Sequence, residues 1–587
     1  MNVIVKHVAP CAIACLISCL SNANTQQGLP YIQNMVHNNP GEQPFVTKYN
    51  DGHFLKSEGF NGVVPQWHVN CAITYDNYKK GTVKKGTKER KWIETHAQEV
   101  QLKLDSLKAE GLDVYPFTDF LIFPKSVWDK YGDELRGGKI GDKTKSNKPD
   151  LQAKRTQDLL RSQIEGIFET FPKLDGLTLR FGETYLHDTP YHSGNSPIRD
   201  KEAIADHVLF INILREEVCV KRNKKLFYRT WDFGYKFHNN PDFYLAVTNQ
   251  IEPHPNLIFS IKYQQGDFHR NCPFNPSIGK GKHPQIVESQ SQMEAYGKGA
   301  HPYYTALGVI EGWPETKYEI DWEKSRLTDK LRDPSTPRGL KDVVNGGIIK
   351  GVVTWARGGG WQGPYLTNEL WIDLNTFVVS QWAQRPESTE EELFFDFTKK
   401  IGLNEVNARR FRKIALLSIE GVRKGHLNSY TQNNVWWTRD EFFSAAANET
   451  TLKEIFQKKL QAKVLAEKEE AEAAWLQIEA ISKQMDAEDK DLLEAIRISC
   501  TYGRIKYQLI HQMWILMIEN FSYQSGFGEN QALVKEAVRR YDELWSEWKA
   551  LKESSRFCAT LYTDMAFRNN RKGSIGEMVN VIRERIK

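Results

Sequence analysis

Three acidic residues from separate stretches of the 587-residue chain have the types and settings that sugar chemistry needs. Glu183 closes the run Asp175-Gly176-Leu177-Thr178-Leu179-Arg180-Phe181-Gly182-Glu183. Asp267 stands in Gly266-Asp267-Phe268-His269-Arg270, and Glu294 ends Glu288-Ser289-Gln290-Ser291-Gln292-Met293-Glu294. Each follows a β-rich run closely. Cleaving a glycosidic bond takes a protonated acid for the leaving oxygen and an ionised carboxylate for water or the sugar carbon. Glu288 is a fourth candidate, within the run that leads to Glu294. Each carboxylate also has a structural reading: Glu183 in a salt bridge with Arg180, Asp267 as a loop cap, and Glu288 in a buried polar network.

The ends of neighbouring runs add rings and cations of the kind that hold a sugar. The candidate substrate contacts are Trp67, His68, Arg180, Tyr185, His187, Trp231, Asp232, Lys262, Arg270, Trp355, Arg357 and Trp361. Aromatic faces pack on sugars, and a guanidinium meets a carboxylate with two parallel hydrogen bonds. Lys262, Arg357 and Arg270 are therefore candidates for pairing with a substrate carboxylate. His187, Asp188 and His192 could be read as metal donors, but no second His cluster accompanies them. No metal is expected. No P-loop, dinucleotide fingerprint or GxSxG elbow stands out, so no cofactor is expected either.

These residues need a frame that brings distant segments to one rim. Between residues 30 and 385, eight β-rich runs alternate with amphipathic stretches, the pattern of βαβ units on a parallel sheet. The runs are 31–36, 62–66, 111–117, 176–181, 226–230, 257–262, 285–289 and 348–355. Several are nearly unbroken in apolar residues, as strands covered on both faces should be. The fold class expected is α/β, a (β/α)8 TIM barrel followed by an all-helical C-terminal domain. In that barrel, the C-terminal ends of the strands carry the active site. After Pro386 the chain is rich in Glu, Lys, Ala and Leu, and the charged stretch 452–485 reads as the solvated face of a bundle helix. The expected divisions are 1–23 as a signal peptide, 28–386 as the catalytic barrel and 387–587 as the helical domain. That helical half could also pair with a copy of itself as a homodimer.

Composition bounds the partners. Lys and Arg total 79 against 74 Asp and Glu, for a formal charge of +5, with no basic stripe or binding module for nucleic acid. Aromatic residues make up 12% of the chain, which suits a sugar cleft and equally a large core. Lys6 and the apolar run from Val8 to Leu20 fit a secretory leader. Leu16-Ile17-Ser18-Cys19 reads as a lipobox with Cys19 as a lipid-anchored first residue; the competing reading is cleavage after Ala23. The expected address is secreted, periplasmic or outer-surface in a bacterium. Five cysteines remain beyond the leader, odd in number and scattered, which indicates no disulfide framework.

The order of motifs resembles the α-glucuronidases of glycoside hydrolase family 67 over roughly residues 55 to 400. The resemblance rests on Gly59-Phe60-Asn61-Gly62-Val63-Val64, a fourth strand ending in Glu183, Gly266-Asp267-Phe268, the strand Gln285 to Gln290 with Glu294 beyond it, and the Trp- and Gly-rich stretch Trp355 to Gly363. It implies an inverting exo-enzyme that removes a uronic acid, with Glu183 as acid and Asp267 with Glu294 around the attacking water. The chain departs from the family in its Arg-Phe-Gly-Glu-Thr context at the acid, its 185–197 loop and its short stretch before the second strand. The function expected is hydrolysis of an acidic polysaccharide or its oligosaccharides. Two other readings stay open: a polysaccharide lyase using Tyr185 or His187 as base, and a non-catalytic glycan-binding barrel.

Overall fold

The computed structural model describes residues 28–37, 46–136, 147–181, 186, 188–198, 203–231, 236–266, 268, 270, 272–290, 299–313, 318–321, 326–358, 365–426, 428–431, 449–561 and 575–587. Its centre is an all-parallel sheet of nine strands: β1 (Tyr31–His37), β2 (Gly62–Val63), β3 (Asp113–Val114), β4 (Phe117–Asp119), β5 (Gly176–Arg180), β6 (Lys225–Arg229), β7 (Leu257–Lys262), β8 (Gln285–Gln290) and β9 (Ile349–Gly358). They pair in the order β3-β2-β1-β9-β8-β7-β6-β5-β4. All eight expected runs contain strand. The two edge strands, β3 and β4, belong to one segment interrupted only at Tyr115-Pro116. Proline has no N–H to give to a ladder, which breaks the strand there. Pro65 likewise ends the second run early, at Val63, where a longer strand was expected.

The sheet curls so that strands far apart in its order touch. Tyr31 of β1 and Tyr115 both pack edge-on against Phe227 of β6, at centroid distances of 5.4 and 4.8 Å. Higher up, His37 of β1 lies 6.0 Å from Phe117 of β4 and 5.6 Å from Trp355 of β9. Helices cover the outside. Helix α1 (Lys88–Ala109) follows β2; Thr87 caps it by accepting a hydrogen bond from the Arg90 N–H. Helix α2 (Lys154–Thr170) precedes β5, and α3 (Leu370–Gln384) packs on β9.

After Pro386 the described chain is helical, as its composition predicts. Helices α4 (Glu390–Lys400), α5 (Glu405–His426), α6 (Gln461–Gln484), α7 (Lys490–Gln524) and α8 (Gln531–Ser554) form successive packed pairs from α5 with α6 to α7 with α8. The charged stretch 452–485 is helical, as expected, but in two pieces: the end of a short helix (Glu449–Gln457), a break at Lys459, whose φ is 53°, and then α6. Trp475 of α6 is fully buried and stacks on Tyr507 of α7 at 4.7 Å and 5°. Gly421 and Gly503 make room for it, since a Cβ there would stand 2.8 and 2.2 Å from the indole. One hydrophobic core runs through both halves. At their junction Trp371 of α3 stacks on Phe411 of α5 and donates to Ser499 Oγ of α7 at 3.0 Å. Cys71, Cys219, Cys272, Cys500 and Cys558 are separate buried thiols. Among the described residues no helix is long and apolar enough to cross a membrane.

Buried imidazoles make the fold acid-sensitive. Burial pushes His68 down to about 4 and His192, His207 and His238 down to about 3. An unfolded histidine takes its proton near 6.5, so between that pH and the folded values the unfolded chain binds more protons. Stability from these groups is therefore complete above about pH 6.5 and falls as the pH drops toward 3, by about 1.4 kcal/mol per group per pH unit. Thermal unfolding followed by circular dichroism should show a melting temperature that declines steadily from pH 7 to 4.5. A flat profile would contradict the burial of neutral imidazoles.

Candidate active site

The C-terminal ends of the strands bring charged side chains into the mouth of the sheet, where the inward positions alternate along each strand. Asp119 ends β4 and sits opposite Arg180 at the end of β5. The Arg180 guanidinium forks onto it, with Nε and Nη2 each 2.6 Å from a carboxylate oxygen. Arg229, at the end of β6, forks in the same way onto Glu288 of β8, at 2.7 and 2.8 Å. Both pairs are almost completely buried.

Glu288 is fully engaged. Its Oε1 also accepts from Ser260 Oγ at 2.8 Å, and its Oε2 from Trp355 Nε1 at 3.1 Å. Burial opposes its ionisation, but the charge and hydrogen bonds of Arg229, the nearby Lys262 ammonium and Ser260 outweigh it and hold the carboxyl below its ordinary range. Glu288 is thus an ionised hub joining β6, β7, β8 and β9.

Aromatic rings partition these charges. Phe117 lies beneath both guanidiniums, 4.9 Å from Arg180 and 4.8 Å from Arg229. Lys262, ending β7, is buried in an aromatic cage: its Nζ is 3.9 Å from the Trp231 centroid, 4.8 Å from Phe268 and 5.5 Å from Trp355. Ring faces stabilise a desolvated ammonium here. Arg357, two residues beyond Trp355, faces Glu369 at 3.6 Å. These four cations and the carboxylates Asp119, Glu288 and Glu369 make the described strand ends densely charged.

His68 follows β2 and feels both Asp119 and Arg180; its depressed pKa keeps it neutral near pH 7, a hydrogen-bonding group rather than a charge. Its backbone is in the left-handed region at φ 47°, and Phe268 beside the lysine cage is there too, at φ 55°. Such strain in residues other than glycine persists only where surrounding structure enforces it, and it gathers at functional sites. Trp67 and His68 open onto a cavity of about 800 Å³, which also reaches Asn34, Val36, Gln66 and Asp188.

Sequence reasoning and structure meet unevenly. Trp67, His68, Arg180, Trp231, Lys262, Trp355 and Arg357 lie at or just beyond the strand ends that form this rim, and Glu288, a catalytic candidate in the sequence, is held there by Arg229, Ser260 and Trp355. Arg270 is buried with its guanidinium 3.6 Å over the Trp313 ring. Burial pushes it down to about 10, and the charges of Glu420 and Arg423 on α5 reach it, which places it by the junction with the helical half. Glu183, Tyr185, His187, Asp232, Asp267, Glu294 and Trp361 lie outside the described residues, as does Cys19. Asp119 was noted from the sequence only as the polar residue that follows the third run, and Arg229, His37 and Glu369 were not singled out. Arg229 carried a signal: it is a charge that ends the apolar run Leu226-Phe227-Tyr228, two residues beyond the inward-facing Phe227. Among the described residues no three His, Cys, Asp or Glu side chains gather as a metal site.

No family model and no curated protein matches the sequence. Solved structures do match in fold. A GH138 enzyme targeting pectin rhamnogalacturonan II aligns with a TM-score of 0.52 at 11% identity, over 95% of this chain and 68% of that one. Weaker similarities are to CpGH84B, with a TM-score of 0.39 at 9% identity over 94% and 77% of the two chains, and to a Thermobaculum terrenum O-GlcNAc hydrolase, with 0.38 at 9% over 95% and 94%. At these identities the likeness is one of architecture: a mixed α/β fold built on a curled parallel sheet with a helical C-terminal region.

Proposed function

We propose that the protein is a glycoside hydrolase that removes a uronic acid from the end of an acidic polysaccharide or its oligosaccharides, with inversion. The observation that carries the reading is the rim itself. Buried cations and rings from β4 to β9 converge where the strands end, and the three candidate carboxylates follow those strands directly in the chain. The reading includes a closed eight-stranded barrel, with β3 and β4 as one bent strand that pairs with β2 on one side and β5 on the other. The fold shared with an enzyme targeting pectin rhamnogalacturonan II is consistent with it.

Each group has a role in this scheme. Glu183, three residues past Arg180, donates a proton to the departing oxygen. Asp267, next to the caged-lysine contact Phe268, and Glu294 hold and deprotonate a water on the opposite face of the sugar. The inverting geometry needs about 6.5 to 9.5 Å between acid and base to admit that water. Lys262 and Arg357 supply the field for the substrate carboxylate, and Trp231, Trp355, Trp67 and His68 hold the ring. Glu288, with both oxygens occupied, positions Arg229 and Trp355 and transfers no proton. A secreted or surface location, with Cys19 or Ala23 marking the leader's end, goes with a polymeric substrate.

Product analysis over a panel of acidic polysaccharides and aryl uronides tests the reading. Free saturated uronic acid is expected. An unsaturated product absorbing in the ultraviolet would make the protein a lyase, and affinity without any product would make it a binding protein. Within the hydrolase reading, Asp267→Asn should lower kcat by about 10²-fold or more with KM little changed, because a general base contributes on that order. Steady-state kinetics on the released uronic acid checks this; unaltered kcat would remove Asp267 from the water site.

A further inference from the structure

Helix α1 places one long stripe of side chains beside the rim. Trp92, Thr95, His96 and Glu99 line a second cavity of about 320 Å³, together with Gln66, Trp67, His68, Lys103 and Asp188. Leu102, Lys103, Ser106, Leu107 and Glu110 line the cavity of about 800 Å³ described above. Gln66, Trp67, His68, Lys103 and Asp188 belong to both, so the two cavities meet at the mouth of the sheet. The spacing of the α1 residues is that of a single helix face, and from Trp92 to Glu110 it runs about 27 Å at 1.5 Å per residue.

This stripe is ordered in advance. Trp92 and His96, four residues apart, stack at 4.9 Å and 14°. The His96 Nε2 lies 2.9 Å from the Trp67 carbonyl oxygen, which can only accept, so Nε2 carries the proton and ties the stack to the rim. Burial lowers the pKa of His96, which leaves Nδ1 as an acceptor in the neutral ring. Beside Lys103, Leu102 is 72% exposed, an apolar side chain standing in the groove wall. Rings and polar groups fixed in place before binding lose little freedom when a ligand arrives.

We propose that this face of α1 is a leaving-group subsite that binds the sugar units next to the one removed. The inference rests on the hydrolase reading and adds the part of the substrate that the rim does not hold. Charge indicates which units. The groove is lined by Asp51, Glu99 and Glu110, with Asp188 where it meets the rim, against Lys103. Carboxylates in this wall disfavour an anionic unit, so neutral hydroxyl-rich sugars belong along α1.

The test compares a short substrate with a long one. On rhamnogalacturonan-derived oligosaccharides, Trp92→Ala should lower kcat/KM by about tenfold or more, the usual consequence of truncating an aromatic anchor. On an aryl uronide, which does not reach the groove, kcat/KM should be unchanged. Leu102→Asp, at an exposed position, provides a second variant with no packing to lose and should show the same selective loss. Equal losses on both substrates, or no loss on either, would overturn the subsite. Titration calorimetry with the same oligosaccharides separates this from the hydrolase reading. If no substrate is turned over, weaker oligosaccharide binding by both variants still supports the groove, and unchanged binding refutes it.

Discussion

Glu183→Gln is expected to reduce turnover of a uronosyl oligosaccharide by about 10³-fold, with oligosaccharide affinity and melting temperature unchanged. Glutamine keeps the shape of the side chain and its hydrogen bonds but has no proton to give to the glycosidic oxygen. A sugar alcohol leaves poorly without that proton, whereas an activated phenolate departs largely unaided. The loss should therefore be much smaller on a nitrophenyl uronide than on the oligosaccharide. Paired kinetics on the two substrates distinguish an acid from a residue that merely holds the site together, since a structural role would depress both equally. The fork of Arg180 on Asp119 fixes the end of β5, three residues before Glu183 in the chain.

The second large effect concerns stability. Arg229→Leu leaves Glu288 charged and buried without its main partner, a situation that costs about 3 to 5 kcal/mol. Removing both charges, in Arg229→Leu with Glu288→Leu, should recover much of that loss, because the pair's mutual attraction largely offsets its own desolvation. Chemical unfolding of wild type, both single variants and the double variant gives the coupling directly. A double variant that is destabilised by the sum of the single effects would show that the two side chains act independently, contrary to the bidentate contact. The double variant should also release the indole of Trp355, whose N–H is held by Glu288, so the rim should lose order even where stability returns.

Much of this architecture could be read from the chain, for identifiable reasons. The strand Leu257–Lys262 was legible to the residue because a run of apolar residues ending in a lysine has few alternatives in a parallel sheet. The runs at 62–66 and 111–117 were placed well but bounded poorly, since Pro65 and Pro116 remove ladder donors at their ends. Trp475 marked the charged stretch as a packed helix, and it is buried among glycines as that reading requires. The electrostatic wiring was less legible. Glu288 was noticed as a carboxylate, but its partner Arg229 lies 59 residues earlier in the chain, and only the order of the sheet, with β7 between their strands, brings the two together. Asp119 and Arg180 were likewise seen one at a time, though they are opposite residues on paired strands. Arg270, grouped with the rim because it follows β7, stacks on Trp313, within reach of Tyr263 on one side and of Glu420 and Arg423 on α5 on the other. Position after a strand predicts the neighbourhood of a side chain but not its direction.

The central claim is that Glu183, Asp267 and Glu294 surround one sugar held above the charged floor of the sheet. A crystal structure of the protein with a bound uronic acid measures this most directly, through the distances between the three carboxyl groups and the anomeric carbon. The account predicts Glu183 on one face of the sugar, Asp267 and Glu294 on the other, with about 6.5 to 9.5 Å between acid and base and a water in the gap. A sugar seated elsewhere, or carboxyl groups too scattered to reach a common anomeric carbon, would contradict it.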